Sequence, residues 1–462
     1  MPGSTRSGEE LRADFLIVGA GLAGHRAALE ASALGAKVLL IEKMPEAGGS
    51  SAMSGGSFAF AGTDHQRRFG IMEDGPERLR ADLLEVGGNH NDPALVDVYV
   101  DHQLGEYDYL RKHGVEFSPI QLSSGQSVPR SHPSNPRGVL DKLRAELDQR
   151  DNVQILLNTK ATKILRNDRF EAIEATQDGK PVTIHGDKGI LLATGGFSRS
   201  EDLLQLFAPE TRRGLRAGGL GNEGDGLKMA WEHGAGFADL GYVKGTFGSY
   251  IESYTAEPHT ILLPVYRGAV AVNKSGIRFV KESLSYKKLG QACLEEEDAR
   301  AYQIFDEKIM AASVDGVPSF DFQAALRKKR IFKADSLAAL SAMIGVDEQR
   351  LTDTVARYNA AVRDGGEDDL GREYLSHRSG TLVEISAAPF YAYPCTTVIN
   401  TTYAGLKIRE DMSVLNVWGA PLRGLYGAGE LVGGFHGEAY MTGTSLVKAL
   451  IGGKLAAQAA LS

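Results

Sequence analysis

The chain has 462 residues, of which 42% are hydrophobic, and it carries a formal net charge of -8. This length allows two or more folded domains, and the composition is ordinary for a globular protein. The negative balance gives no reason to expect nucleic acid or an anionic membrane surface as a partner.

The cysteines and the apolar segments exclude further classes. Cys293 and Cys395, the two cysteines of the sequence, form no C-x-x-C motif and belong to no metal-ligand cluster, so no metal, iron–sulfur or haem centre is expected. The stretch 1–12 is polar, and no apolar run reaches about 18 residues. Neither an export signal nor a membrane span is therefore expected, which favours a cytoplasmic protein.

The first predicted elements form a nucleotide-binding unit. An apolar, strand-like segment at 14–18 runs into the motif Gly19-x-Gly21-x-x-Gly24 and a helix-like segment at 23–34. A second apolar segment, 37–41, ends at Glu42. Such glycines suit a tight turn, close approach of backbone to a pyrophosphate and close helix–strand packing, and the acidic residue suits a ribose hydroxyl. The sequence therefore predicts a Rossmann-like dinucleotide site.

The next elements alternate between helix and strand signals. The glycine and serine tract 48–56 is predicted to be a flexible segment outside the core that contacts a flat ligand. Helices are predicted over 92–114 and 137–150. Strands are predicted over these segments: 153–157, 170–176, 182–185 and 189–193. The last strand ends in Ala193-Thr194-Gly195-Gly196, a second place where a strand is predicted to terminate in glycine beside the ligand.

From 246 to 397 the sequence changes to mixed helix and strand signals with many aromatic and charged residues. We expect an inserted α+β capping or substrate domain in this range. The segment Gly427-Ala428-Gly429-Glu430 and a helix at 444–461 then complete the first domain. The predicted fold class is therefore α/β, with a discontinuous Rossmann-like domain formed by 1–245 and 398–462.

These motifs together resemble the flavoprotein superfamily of fumarate reductases, succinate dehydrogenase flavoprotein subunits and 3-ketosteroid dehydrogenases. The similarity spans nearly the whole chain. The matching motifs are Gly19-x-Gly21-x-x-Gly24 with Glu42-Lys43, the tract 48–56, Ala193-Thr194-Gly195-Gly196, Gly224-Asp225-Gly226, Val272-Asn273 with Gly276 and Arg278-Phe279, and Gly427-Ala428-Gly429-Glu430.

The resemblance implies FAD and a mobile cap that closes over the substrate. The attachment histidine of the superfamily has no counterpart near Ser50-Ser51, so the FAD is expected to be non-covalent. The cofactor-binding residues implied by the resemblance are Gly19, Gly21, Ala23, Gly24, Glu42, Lys43, Gly49, Ser50, Ser51, Gly55, Gly56, Ala161, Thr194, Gly195, Asn222, Asp225, Gly429, Glu430, Ser445 and Leu446.

Departures from the superfamily pattern concern the residues that do the chemistry. Fumarate-reducing members place an acid arginine where this chain has Tyr286, and a carboxylate-binding arginine where it has Tyr440. Their histidine before the double glycine is replaced by Thr401, and the segment 262–266 lacks their relay glutamate and arginine. A pair of tyrosines at these two places resembles the 3-ketosteroid dehydrogenase branch.

That resemblance assigns a role to each of three catalytic residues. Tyr440 would donate a hydrogen bond to a substrate carbonyl, helped by a backbone N–H near Gly443, and Tyr286 would remove the α proton. A phenol with a pKa of about 10 needs a nearby cation to act at neutral pH, and Lys287 or Lys288 is the candidate. The branch has a further active-site tyrosine, for which the candidates are Tyr107, Tyr109, Tyr242 and Tyr250. His436 is expected either to contact substrate or to orient its loop, and 130–133 to be structural or near the flavin.

The sequence is compatible with three functions. The leading one is an FAD-dependent dehydrogenase that converts a cyclic ketone to an enone and passes electrons to a diffusible acceptor. The substrate would be a 3-ketosteroid or an oxocyclohexane such as 4-oxocyclohexanecarboxylate, whose carboxylate would meet Arg267, Lys287 or Lys288. The alternative is a flavin-dependent reductase of an activated alkene. The third is a non-catalytic flavin-binding or assembly protein.

Overall fold

The computed structural model describes residues 9–243, 245–252, 261–317, 319–365, 368–376 and 379–462. Its strands are β1 (Glu9–Val18), β2 (Val38–Ile41), β3 (Ser57–Ala59), β4 (Ser131–Pro133), β5 (Val153–Leu156), β6 (Thr159–Arg166), β7 (Phe170–Gln177), β8 (Lys180–Leu192), β9 (Leu215–Arg216), β10 (Phe237–Ala238), β11 (Thr246–Tyr250), β12 (Val270–Val272), β13 (Arg300–Asp306), β14 (Phe332–Ala334), β15 (Phe390–Ile399), β16 (Gly405–Leu406), β17 (Ser413–Leu415) and β18 (Pro421–Gly427).

The helices connect these strands and cover the sheets. They are α1 (Leu22–Ala33), α2 (Gly49–Ala52), α3 (Asp64–Arg68), α4 (Pro76–Val86), α5 (Pro93–Lys112), α6 (Pro136–Leu147), α7 (Glu201–Phe207), α8 (Asp225–Glu232), α9 (Tyr286–Glu295), α10 (Glu307–Met310), α11 (Phe322–Arg327), α12 (Leu337–Ile344), α13 (Glu348–Asp364) and α14 (Thr444–Leu461). Within the described ranges, every helix is too short or too polar to cross a membrane.

The first sheet is parallel at its centre. Its strand order is β17-β18-β8-β1-β2-β5, in which the five strands from β18 to β5 are parallel to one another. At the margin, β17 pairs antiparallel with β18, and β7 pairs antiparallel with β8. The residues 15–18 of β1 are apolar and buried on both faces, as a central parallel strand requires. Helices α1 and α14 pack against each other and belong to the same hydrophobic core. The fold class predicted from the sequence, α/β with a Rossmann-like domain, is confirmed.

A second sheet and a second hydrophobic cluster occupy the middle of the sequence. The sheet has the order β11-β15-β13-β12, with β14 and the short β9 also pairing with β15. The buried residues of its cluster all lie between Phe247 and Cys395, whereas those of the first cluster lie before and after that range. The division into domains at 246 and 397 stays a prediction, which the separation of the two clusters supports.

Most predicted elements exist, and two predictions need correction. The segments 182–185 and 189–193 are not two strands, because β8 continues through the polar residues between them with a register shift against β1. The tract 48–56 is not wholly irregular, since it contains α2. The sequence reasoning also overlooked β6 and α4. Both contain many charged residues, so the apolar residues of their buried faces form no obvious pattern in the sequence.

Candidate active site

The carboxyl ends of four strands meet at one edge of the first sheet. Strand β1 leads into Gly19, β2 into Glu42, β8 into Ala193 and Thr194, and β18 into the segment 427–430. In open α/β sheets, ligands bind outside the carboxyl ends of the strands. This edge is where the sequence predicts the dinucleotide.

Two glycines of the first motif are required by close backbone contacts. A Cβ at Gly19, whose φ is +110°, would lie 2.4 Å from the carbonyl oxygen of Ala193. A Cβ at Gly24 would lie 2.0 Å from the carbonyl oxygen of Gly19. Any side chain here would push β1, β8 and α1 apart. Gly24 therefore does not line the site. It allows α1 to pack closely against the end of β1.

Polar side chains hold the loops around this edge. The Glu42 carboxylate accepts hydrogen bonds from the backbone N–H groups of Ala20 (2.9 Å) and Met44 (3.0 Å). The Ser51 hydroxyl accepts from the N–H of Leu22 (3.2 Å), at the N-terminus of α1, where an anionic phosphate is favoured. Lys43 pairs with Asp225 at 2.5 Å.

A cavity of about 110 Å³ opens at this edge. The predicted cofactor residues that line it are Gly19, Gly21, Ala23, Glu42, Lys43, Gly49, Ser50, Ser51, Ala161, Thr194, Gly195, Asn222, Asp225, Gly429 and Glu430. A larger cavity of about 340 Å³ shares Ser50, Ser51, Glu430 and Ala449 with it, so the two are adjacent. The remaining predicted cofactor residues that line the larger cavity are Gly55, Gly56, Ser445 and Leu446.

Buried polar atoms on these walls fit a ligand with a polar edge. In the described part of the chain, Thr194 Oγ1, Asn222 Oδ1 and Ser57 Oγ are buried and have no hydrogen-bond partner. Leaving a buried polar atom unpaired costs about 1–3 kcal/mol, so such atoms normally have a partner. Thr194 and Asn222 line the smaller cavity and Ser57 the larger. The residues present therefore suit a long cofactor with a polar heterocycle, as FAD has.

Tyr286 and Tyr440, predicted to be catalytic, are brought together on the wall of the larger cavity. Their ring centroids are 5.9 Å apart. Tyr286 begins α9, in the second hydrophobic cluster, where Ser285 caps the helix. Tyr440 lies in the loop before α14, between two residues of the first cluster. The cavity therefore lies where the two clusters meet.

Gly443 contacts Tyr440 directly. Its backbone N–H donates a hydrogen bond to the Tyr440 hydroxyl oxygen at 2.9 Å. Because that oxygen already accepts a bond, the hydroxyl proton is available to an acceptor elsewhere. In this structure the Gly443 N–H thus orients Tyr440, whereas the sequence predicted that it would assist the substrate carbonyl.

The two lysines predicted to lower the pKa of Tyr286 do not lie where the prediction requires. Burial raises the pKa of Tyr286 well above 10, and the neighbouring tyrosines raise it further. Lys288 does not assist, because its Nζ lies 3.3 Å from the Glu438 carboxylate. The Lys287 amine is buried, which lowers its pKa to about 7, and it donates to Thr246 Oγ1 at 2.8 Å. It lies 6.0 Å from the centroid of the Tyr286 ring, over the ring face.

Sequence reasoning missed two further tyrosines that line the larger cavity, Tyr266 and Tyr403. Tyr403 stacks on Tyr440 with ring centroids 4.8 Å apart and planes 13° apart, and it lines the same cavity. Lys287 Nζ lies 4.7 Å from the Tyr403 centroid, and the buried ring of His436 lies 4.5 Å away. The one available signal for Tyr403 was its position two residues after Thr401, the residue that marks this loop in the sequence.

None of the four tyrosines considered as the third one lines this cavity. Tyr107 donates its hydroxyl to Asp64, and Tyr109 packs against Arg26 and His113. Tyr242 packs on His90, and Tyr250 on Tyr393. Arg130, in the segment 130–133, is fully buried between Asp74 and Asp82 and is therefore structural.

Comparison with known proteins identifies the family. A family model described as FAD binding domain matches residues 14–446, so the chain belongs to this family. It is 30% identical over 455 residues to a fumarate reductase (cytochrome) of Shewanella frigidimarina, covering 97% of this chain and 76% of that protein. It is 27% identical to vinyl phenol reductase of Lactiplantibacillus plantarum, covering 96% of this chain and 94% of that protein.

A solved structure agrees in fold. The 3-ketosteroid-Δ4-(5α)-dehydrogenase of Rhodococcus jostii RHA1 matches with a TM-score of 0.79 over 99% of this chain and 98% of that chain. At 24% identity, this likeness concerns the fold alone. The chain is a flavin-dependent oxidoreductase of the fumarate reductase superfamily, whose members act on CH–CH bonds, and its cofactor is FAD. These findings confirm the predicted family, class and cofactor.

Proposed function

We propose that this protein oxidises a cyclic ketone to the α,β-unsaturated ketone. The observation that carries the proposal is the pair Tyr286 and Tyr440 facing one cavity, with centroids 5.9 Å apart. Desaturation beside a ketone needs a donor for the carbonyl oxygen and a base for the α proton. A phenol can perform either task, depending on its protonation state.

Tyr440 supplies the hydrogen bond to the carbonyl. Its hydroxyl oxygen accepts from Gly443, which fixes the orientation of the phenol and leaves its proton for the substrate. Negative charge develops on the carbonyl oxygen as the α proton leaves, and a preorganised donor in a buried site stabilises that charge. Stacking on Tyr403 and contact with His436 keep the ring in place.

Tyr286 removes the α proton. FAD bound in the two adjacent cavities would accept the hydride that leaves the β carbon of the substrate. Apolar residues of the larger cavity, such as Leu263, Phe320 and Leu446, suit a hydrocarbon ring and exclude water from it. The electron acceptor that regenerates the oxidised cofactor is proposed to be a diffusible molecule, and the proposed location is cytoplasmic.

Tyrosine variants test the proposal. Tyr286→Phe and Tyr440→Phe should each keep the bound flavin and lose turnover of cyclic ketones by roughly 100- to 10,000-fold, the usual worth of acid–base or oxyanion assistance. Tyr107→Phe is the matched control, because that hydroxyl contacts Asp64 outside the cavity. Full ketone turnover in both cavity variants would contradict the assigned roles.

A second candidate is reduction of an activated alkene, with the same groups working in reverse. It is favoured by the names of the relatives, a fumarate reductase and a vinyl phenol reductase. The two directions are separated by mixing dithionite-reduced enzyme with fumarate, with a vinyl phenol and with a cyclic enone. Reoxidation by fumarate or the vinyl phenol, without reduction of oxidised enzyme by any saturated ketone, would favour this alternative.

A further inference from the structure

A half-buried guanidinium lies beside the larger cavity. Arg267 ends the short 3₁₀ helix Pro264–Arg267 and donates from Nη2 to Gln121 Oε1 at 3.1 Å. Its Cζ lies 4.3 Å from the centroid of the Phe320 ring. Gln121 and Phe320 both line the cavity. The positive charge therefore lies in contact with two residues of the cavity wall.

This half-buried arginine differs from the fully buried arginines of the described ranges, which have carboxylate partners. Arg26 pairs with Glu106, Arg130 with Asp74 and Asp82, and Arg278 with Glu282 and Asp368. Arg267 has no carboxylate within ion-pair distance among the described residues, and burial lowers its pKa because no acid compensates. Withdrawing a charge from water without a partner is costly, so such a group is a candidate for binding an anion from outside.

The other cations near the cavity are engaged. Lys288 pairs with Glu438, Lys287 donates to Thr246, and Lys448 donates from Nζ to the carbonyl oxygen of Val432 at 3.0 Å. Burial lowers the pKa of Lys287 to about 7 and that of Lys448 to about 8, so both amines lose their charge as the pH rises through these values. A guanidinium stays charged and offers a planar fork of N–H donors that matches a carboxylate.

We propose that Arg267 is the recognition group for a carboxylate carried by the substrate, so that the preferred substrate is a small cyclic keto acid. This inference rests on the proposed function, since it names the class of ketone that Tyr286 and Tyr440 would act upon. Gln121 holds the guanidinium at the wall, and the Ser123 and Ser319 residues that line the same cavity offer further polar contacts. A neutral steroid would leave this charge unmatched.

The test compares an acid with its uncharged ester. For the wild-type holoenzyme, kcat/KM should be higher for 4-oxocyclohexanecarboxylate than for its methyl ester. In Arg267→Leu, kcat/KM for the acid should fall roughly 10- to 100-fold, mainly through KM, while the value for the ester changes little. Arg267→Lys should recover part of the preference because it restores the charge. Lys288→Gln, which removes a cation paired with Glu438, should leave the acid-to-ester ratio unchanged.

A binding measurement makes the inference independent of the chemistry. Cyclohexanecarboxylate has no ketone to oxidise, and its binding to the oxidised holoenzyme can be followed by the perturbed flavin spectrum. The expected result is a dissociation constant roughly 10- to 100-fold weaker in Arg267→Leu than in the wild type. Equal binding in the two proteins, or an equal loss for acid and ester, would overturn the role of Arg267. Failure of every ketone to reduce the flavin would overturn the proposed reaction and would leave this binding result to decide on Arg267.

Discussion

If the proposed reaction takes place, the protonation state of Tyr286 sets the pH dependence of each direction. Burial raises the pKa of its phenol well above 10, so the resting side chain is protonated at neutral pH. Below its pKa, the phenolate fraction rises tenfold for each pH unit. We therefore expect kcat/KM for ketone desaturation to rise about tenfold per pH unit between about pH 7 and about pH 9, whereas alkene reduction, which uses the phenol as an acid, stays level.

Lys287 titrates in the same range and supplies the control. Its pKa is lowered to about 7, so the amine loses its charge as the pH rises. If Tyr286 is the titrating base, Lys287→Met keeps the rise with pH and Tyr286→Phe removes it. A level desaturation profile in the wild-type enzyme, measured by initial rates across this range, would contradict the phenolate mechanism.

Motifs predicted the site residues that lie next to glycine signals, and they failed where contacts join distant segments. Tyr286 and Tyr440 follow recognisable segments, and both line the cavity. Tyr403 was missed because its stacking on Tyr440 depends on how two loops fold together. The direction of the Lys288 side chain depends on Glu438, far away in sequence, so no local pattern reveals it.

At the scale of elements, a cluster of buried ion pairs connects α4 to the residue that precedes β4. Arg130, just before β4, pairs with Asp82 on α4 and with Asp74 at 2.7 Å. Arg130→Met leaves two buried carboxylates without their cation, and we expect a loss of about 3–5 kcal/mol in the free energy of unfolding. The matched control is Arg144→Met on α6, whose partner Asp148 is exposed, with an expected loss below about 1 kcal/mol.

Urea unfolding of both variants with FAD bound measures the difference. Equal stability of the Arg130 and Arg144 variants would contradict the structural role of Arg130.

The helices and strands themselves were largely predictable from the sequence, because α1, α5, α6 and α14 follow apolar spacing and turn signals. The ion cluster of Arg130, Asp74 and Asp82 was not predictable from the sequence. Its three charged residues come from separate segments, and each resembles an ordinary surface residue.

At the scale of the whole molecule, the site depends on both hydrophobic clusters. The smaller cavity belongs to the parallel sheet, while Tyr286 reaches the larger cavity from the second cluster. The α/β class and the glycine motifs followed from the order of strand, helix and glycine signals along the chain. The contact between the two hydrophobic clusters could not be predicted in this way, because it depends on packing between segments that are far apart in sequence.

Non-covalent binding of FAD is a prediction at this scale. No histidine stands in the segment Ser50–Ser51, at which the resemblance to the superfamily would place an attachment histidine. Precipitation of the holoenzyme with acid should therefore leave the yellow cofactor in the supernatant, with the mass of the protein equal to that of the unmodified chain. Yellow colour that stays with the precipitate would contradict it.

The central claim is that Tyr286 and Tyr440 serve desaturation of a cyclic ketone. The most direct measurement is anaerobic mixing of the oxidised holoenzyme with saturated cyclic ketones, with the visible flavin absorption followed in time and the product analysed. The account predicts bleaching in a single turnover with one equivalent of enone formed, and loss of both in Tyr286→Phe. No bleaching by any ketone, together with reoxidation of the reduced enzyme by fumarate, would contradict it.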